Sequence, residues 1–223
     1  GHDRFFVTEA CEYTNSFLSF FPKVGIILNV EEDHLDFFKD IEDIRNSFHK
    51  FAALLPSDGI LIVNGEIPQI HKILEGLSCR IVTYGSTASC DYHPQDISHD
   101  EKGFASFRLC KANAAIGSIP SGSVFTLGVP GVHNIYNAMA AIAFADLLSI
   151  DFAAVCGALS EFHGTDRRFE YKGTVKGITL IDDYAHHPTE ITATLSAAAN
   201  YPHQSIWCVF QPHTFTRTKA FMK

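Results

Sequence analysis

The sequence predicts an α/β protein: a mostly parallel sheet flanked by helices, an antiparallel meander along one edge, and a second α/β domain that is cut short. Three observations predict it. Apolar, β-branched runs of strand length, residues 24–28 and 60–63, alternate with stretches that repeat at helical spacing. Between Gly85 and Gly128 the texture changes to Ser, Gly, Asp and short alternating runs, the pattern of a meander. Beyond a polar, glycine-containing stretch at 162–170, a strand–helix–strand pattern starts again and stops at Lys223.

Taken in order, residues 4–8 form a short apolar run closed by Glu9-Ala10-Cys11-Glu12 and read as a strand. Residues 16–21 are a short apolar segment ended by Pro22. The run 24–28 reads as a strand covered on both faces, because it is apolar without alternation and stops abruptly at Asn29. Residues 40–55 carry Ile41, Ile44, Phe48, Phe51, Leu54 and Leu55 at helical spacing and end at Pro56-Ser57-Asp58-Gly59. Residues 60–63 and 80–84 read as strands with a helix over 68–77 between them. Residues 104–109 and 123–127 supply the meander. Helices follow at 133–148, with an alanine-rich body, and at 152–161. In the second domain, strands are expected at 178–181 and 205–210, a helix at 188–199, and a further helix from about Thr216.

Composition narrows the class. An apolar fraction of 46% is ample for a core, and 19% charged residues is not a disordered composition. A formal charge of −8 argues against a nucleic-acid or anionic-membrane surface, both of which need clustered cations. It is compatible with a nucleotide met by a few local cations and Mg²⁺. The six cysteines form no C-x-x-C pair and read as reduced, mostly buried thiols of a cytoplasmic protein. No apolar run approaches the roughly 20 residues that cross a bilayer, and no signal peptide is evident.

Chemistry concentrates where strands stop. Asn29-Val30-Glu31-Glu32-Asp33-His34-Leu35-Asp36 follows the first long strand, and ligands of open α/β sheets sit beyond such carboxyl ends. Glu9 suits a Mg²⁺ ion, which takes one or two protein carboxylates plus phosphate oxygens and water; His34 is a less usual partner. His133, Asn134 and Asn137 share one face of a first helical turn, and an Asn amide offers the paired donor and acceptor that suit a base edge. Arg167-Arg168 either holds a phosphate or solvates a linker. Asp182-Asp183-Tyr184-Ala185-His186-His187-Pro188-Thr189-Glu190 and Gln211-Pro212-His213-Thr214-Phe215-Thr216-Arg217 each follow a strand and are expected to open onto one crevice. No G-x-x-x-x-G-K-[ST] is present, so the chain has no complete P-loop.

These motifs, together with Gly131-Val132-His133-Asn134-Ile135-Tyr136-Asn137-Ala138, Arg167-Arg168-Phe169 and Phe210-Gln211-Pro212-His213, occur in the order seen in the Mur ligases, which the chain resembles over nearly its whole length. The turns at 182–188 and 210–213 resemble those of the L-alanine-adding branch. The resemblance implies a three-domain parent, in which residues 1–168 are the central ATP-binding domain without its N-terminal P-loop part. Residues 169–223 would begin a Rossmann-like, amino-acid-binding domain. It implies ATP and Mg²⁺ as cofactors, UDP-N-acetylmuramate and L-alanine as substrates, and an acyl-phosphate intermediate in peptidoglycan precursor synthesis. By the same resemblance Glu9 is a Mg²⁺ ligand and His34 the ligand of a second, substrate-side Mg²⁺, with His133, Asn134 and Asn137 at the adenine. Arg168 meets phosphate, Asp183 reaches the nucleotide on closure, and Tyr184, His186, His213 and Arg217 face L-alanine and the acyl phosphate. Where several relatives carry a carbamylated lysine, this chain has His49 beside Lys50, so that modification is not expected; Thr214 stands where some relatives have arginine.

Other readings compete. A murein-tripeptide-recycling ligase of the same family shares parts of these turns. A metal-dependent hydrolase would use Asp33, His34, Asp36, His186 and His187, and a non-catalytic nucleotide-sensing module would need no turnover. Exposed strand edges leave pairing of two copies into a homodimer open.

Overall fold

A computed structural model describes residues 5–213 and 215–221. The chain divides into two compact units, Gly1–Val82 and Thr83–Lys223. The strands belong to a six-stranded sheet and a separate two-stranded one.

In the first unit, β1 (Val24–Ile27) and β2 (Ile60–Asn64) run parallel, Val24 opposite Ile60 and Ile27 opposite Val63. Parallel neighbours need a crossover, and α1 (Ile41–Ala53) supplies it. Asp40 starts that helix by accepting the Asp43 N–H, Glu42 and Asp43 face its positive end, and Lys50 lies in the last turn. Ile44, Phe51 and Ala52 form its buried stripe. Phe51 stacks on Phe17, from a short 3-10 helix at Tyr13–Ser19, with ring centroids 4.9 Å apart. β3 (Arg80–Tyr84) lies beside β2.

Three expectations for this unit need correction. Residues 5–8 are irregular and exposed, with Phe6 at 91% exposure, because among the described residues no ladder pairs with them. β1 is covered fully on one face only: Ile27 is buried while Ile26 stays 40% exposed. The helix at 68–77 shrinks to α2 (His71–Leu74), bracketed by Gln69 and Gly76, both at positive φ.

The second unit holds the meander. β4 (Tyr92–His99), β5 (Phe104–Lys111) and β6 (Val124–Pro130) pair antiparallel in succession. Two helices follow, α3 (Val132–Leu147) and α4 (Phe152–Glu161), the second capped by Asp151 accepting the Ala154 N–H. On α3, Ile135, Ala138, Met139, Ile142, Ala143 and Asp146 are buried, one stripe at helical spacing. The acid in that stripe is explained by a buried cluster that the sequence did not announce. The Asp146 carboxylate takes Lys111 Nζ at 3.1 Å, the Tyr92 hydroxyl at 2.8 Å, the Ser118 N–H at 2.6 Å and the Ile119 N–H. Lys111 Nζ also donates to the carbonyls of Ile116 and Ile119.

Beyond α4, β7 (Glu170–Val175) and β8 (Ile178–Asp182) form a hairpin closed by Lys176-Gly177, both at positive φ as a two-residue turn requires. β7 was not expected. α5 (Pro188–Ala199) falls where the pattern put it, and α6 spans Phe215–Phe221. The strand expected at 205–210 is absent: that stretch is irregular, with Trp207 90% and Val209 100% exposed and no ladder among the described residues to fix it. Of the cysteines, only Cys79 and Cys90 are buried, and Cys11 and Cys208 are exposed on irregular segments, so the expectation of mostly buried thiols fails. No helix of the described residues is long and apolar enough to cross a membrane.

Candidate functional site

In the first unit the site residues gather on the turn that follows β1. His34 adopts positive φ (53°), a left-handed backbone that costs a non-glycine residue about 1–3 kcal/mol and is tolerated where surroundings impose it. Its own N–H donates to Asp33 Oδ1 at 2.8 Å, and its carbonyl accepts the N–H groups of Phe37 and Phe38. The ring lies 4.6 Å from that of Tyr13, and Nε2 is 3.4 Å from Glu12 Oε1 and 3.9 Å from Asp33 Oδ2. The Tyr13 hydroxyl donates to Asp36 at 2.7 Å, a bond that draws the Asp36 carboxyl below its ordinary range and pushes the phenol up. Glu12 and Tyr13 were not singled out from the sequence; their position straight after Glu9-Ala10-Cys11 was the only signal.

Glu9 is exposed on the irregular segment rather than at the end of a strand. Among the described residues no group of three or more His, Cys, Asp or Glu is placed to hold a metal ion. A Mg²⁺ ion bound through phosphate oxygens needs only one or two protein ligands. His49, where relatives would have the modified lysine, is held by Nδ1 to the Ile73 carbonyl at 3.0 Å.

The second unit brings together side chains from three separate stretches. Gly131, at φ 97°, turns the chain from β6 into α3, and a Cβ there would stand 2.6 Å from the His133 ring. Asn134 does not cap the helix. Its amide donates to the Pro130 carbonyl at 2.7 Å, and its Oδ1 accepts the Asn137 amide at 3.2 Å. Asn137 is exposed, and its Oδ1 and second N–H are not used by that bond. His133 is half-buried, and burial lowers its pKa; the Asp183 charge opposes that shift and Arg168 adds to it.

Asp183, just past the end of β8, ties the stretch after Thr165 to the middle of α5. Its Oδ2 accepts the Phe169 N–H at 2.8 Å and the Thr194 hydroxyl at 3.0 Å, and its Oδ1 accepts the Ala185 N–H at 2.7 Å. The Tyr184 N–H donates to the Arg167 carbonyl at 2.8 Å. Arg167 and Phe169, on either side of Arg168, both have positive φ. The guanidinium of Arg168 donates to Glu190 Oε1 at 3.1 Å.

Tyr184, His186 and His213 lie in a row. The ring centroids of Tyr184 and His186 are 5.1 Å apart, and those of His186 and His213 are 6.2 Å apart, so the two turns do open side by side. His186 Nδ1 meets the Tyr184 carbonyl at 2.8 Å, which fixes that ring. Thr214 and the Arg217 side chain lie outside the described residues.

Because the folded state holds His133 neutral with a lowered pKa, its stabilising effect is complete above the ordinary value of 6.5 and fades as pH falls through the lower folded value. Urea midpoints measured between about pH 7 and 5 are expected to fall less steeply in His133→Gln than in the wild type.

Residues 2–145 match the model of the Mur ligase middle domain, and residues 167–223 match that of the Mur ligase, glutamate ligase domain. The chain is 54% identical over 220 residues to the UDP-N-acetylmuramate--L-alanine ligase of Lachnospira eligens, covering 98% of this chain and 47% of that protein. Among solved structures it is similar to the UDP-N-acetylmuramate-alanine ligase of Thermotoga maritima, with 30% identity, a TM-score of 0.67, and coverage of 83% of this chain and 40% of that one. The MurF ligase of Thermotoga maritima, solved in complex with ADP, shares the fold at a TM-score of 0.64 and 20% identity, over 81% of this chain and 40% of that one. The chain thus spans about half the length of the curated relatives it matches.

Proposed function

The chain belongs to the Mur ligase family, and we propose on that footing that it is part of a cytoplasmic, ATP- and Mg²⁺-dependent ligase that joins L-alanine to the carboxylate of UDP-N-acetylmuramate. We propose a domain boundary between 168 and 169; the matches that end at 145 and begin at 167 support a boundary in this stretch. ATP would phosphorylate the muramoyl carboxylate, and the L-alanine amine would then attack the acyl phosphate and release phosphate. Two anions must meet in this reaction, so positive charge has to lie between them.

The observation that carries the reading is the meeting, within one unit, of His133, Asn134 and Asn137 with Arg168 and Asp183. Asn137 offers an exposed acceptor and donor for a base edge, held in place through Asn134. Burial lowers the His133 pKa, Arg168 lies close enough to add to that lowering, and its guanidinium supplies N–H groups for phosphate. Asp183 has three protein donors on its carboxylate and acts first by fixing Phe169, Ala185 and Thr194, the first two being the chain neighbours of Arg168 and Tyr184. His186, His213 and Tyr184 would line the L-alanine side, with Arg217 beside them in sequence. Mg²⁺ would come with the nucleotide, screening its phosphates; Glu9 is the residue proposed to hold it, and His34 the one proposed to hold a second, substrate-side Mg²⁺.

The test is product formation by the full-length protein from UDP-N-acetylmuramate, ATP and radiolabelled L-alanine, with murein tripeptide as the competing acceptor. Incorporation of L-alanine alone supports the reading, and a preference for tripeptide replaces it with the recycling ligase. Asn137→Ala is expected to weaken ATP binding about fivefold, the worth of one lost hydrogen bond, with the melting temperature unchanged. Wild-type affinity in that variant would take the base edge away from α3.

A further inference from the structure

We infer that Glu190 is a positioning residue of this site, holding the Arg168 guanidinium and the His186-His187 turn in one geometry and acting on turnover through Arg168. The inference rests on the proposed reading that Arg168 meets a phosphate. A single carboxylate collects three donors from two stretches of chain. Oε1 accepts Arg168 Nη1 at 3.1 Å, while Oε2 accepts the N–H groups of His186 at 3.2 Å and His187 at 3.3 Å. The second oxygen belongs to a capping box in which His187 accepts a backbone N–H of the first turn in return. Glu190 is thereby fixed by the helix, and its other oxygen is left to aim the arginine.

The backbone of Arg168 is held from the opposite side. Asp183 binds the neighbouring Phe169 N–H, and Tyr184 binds the Arg167 carbonyl. With both anchors in place the guanidinium has one N–H on Glu190, and a guanidinium carries five. The pair is worth little as a stability device, since the arginine side chain is 55% exposed and exposed ion pairs contribute little. Orientation is the return: an arginine pre-set toward an anion loses less freedom when the anion arrives.

A double-mutant cycle in the full-length protein decides it. Glu190→Gln keeps an acceptor oxygen but loses the charge. In the wild-type background it is expected to lower kcat/KM for ATP about tenfold, and in the Arg168→Ala background by no more than about twofold, the coupling of residues that touch. An equal factor in both backgrounds, or wild-type turnover in Glu190→Gln, overturns the proposal. A melting temperature lowered in Glu190→Gln as far as in Glu190→Ala, with equal losses in both backgrounds, marks a merely structural role and also overturns it. Should the wild-type protein form no L-alanine product, the proposed function falls. The same cycle is then read in the dissociation constant for ATP, where coupling supports Glu190 as positioning residue and additivity overturns it.

Discussion

Asp146→Ala is expected to lower the unfolding free energy by about 3–5 kcal/mol, the cost of breaking a buried ion pair from one side. The Asp146 carboxylate is fully buried, and the Lys111 side chain is 1% exposed. Removing the acid takes this acceptor from four donors at once: the ammonium, the Tyr92 hydroxyl and the N–H groups of Ser118 and Ile119. Lys111 would keep only the carbonyls of Ile116 and Ile119, which do not balance its charge. The cluster joins β4, β5 and α3 to the loop at 112–123, so its loss loosens the platform from which α3 presents His133, Asn134 and Asn137. Lys111→Met should cost less, because Asp146 retains three donors and the stem of the lysine is replaced by apolar volume. Urea unfolding gives the ranking, and equal losses in the two variants would show that the charge on Lys111, not the lost acceptor, dominates.

How much of this was legible beforehand depended on whether the physics was local. α1, α4 and α5 were readable because caps, spacing and breakers all lie within a few residues: Asp40, Asp151 and the Pro188 start each act on their own helix. The runs at 4–8 and 205–210 have strand composition, yet a strand exists only through its neighbour, and composition cannot supply one. β7 was missed because Tyr171, Lys172, Thr174 and Val175 alternate weakly, and the signal for its hairpin is the Lys176-Gly177 turn.

The site divides in the same way. Asn134 and Asn137 could be assigned to one face from helical spacing, and the structure links them directly. The row Tyr184, His186, His213 followed from two turns after two runs of strand composition, although the second run forms no ladder. The Lys111–Asp146 pair, 35 positions apart, gave a single clue: Asp146 stands at i+11 from Ile135, on the apolar stripe of α3, where an acid implies a buried partner. Glu190 ends the motif at 182–190, and its two roles, closing a capping box and reaching Arg168, exist only in the folded chain.

Gly117→Ala is expected to be nearly as costly as the loss of Asp146, for a reason that involves the same carboxylate. Gly117 sits at φ 67°, where an L side chain is strained by about 1–2 kcal/mol. A Cβ built there would stand 2.2 Å from the Asp146 carboxyl carbon and 2.3 Å from both its oxygens. That carboxylate cannot swing aside, since Tyr92, Lys111, Ser118 and Ile119 hold it from every side. The loop must therefore lift and carry the Ser118 and Ile119 N–H groups off their acceptor, adding an overpacking cost of about 1–3 kcal/mol. Two causes acting on one contact should not add. In an Asp146→Ala background the clash is gone and only the backbone strain remains, so Gly117→Ala should then cost about 1–2 kcal/mol. Urea unfolding of the two single variants and the double variant tests this directly, and losses that sum would mean that Gly117 serves the turn alone and not the carboxylate packed against it.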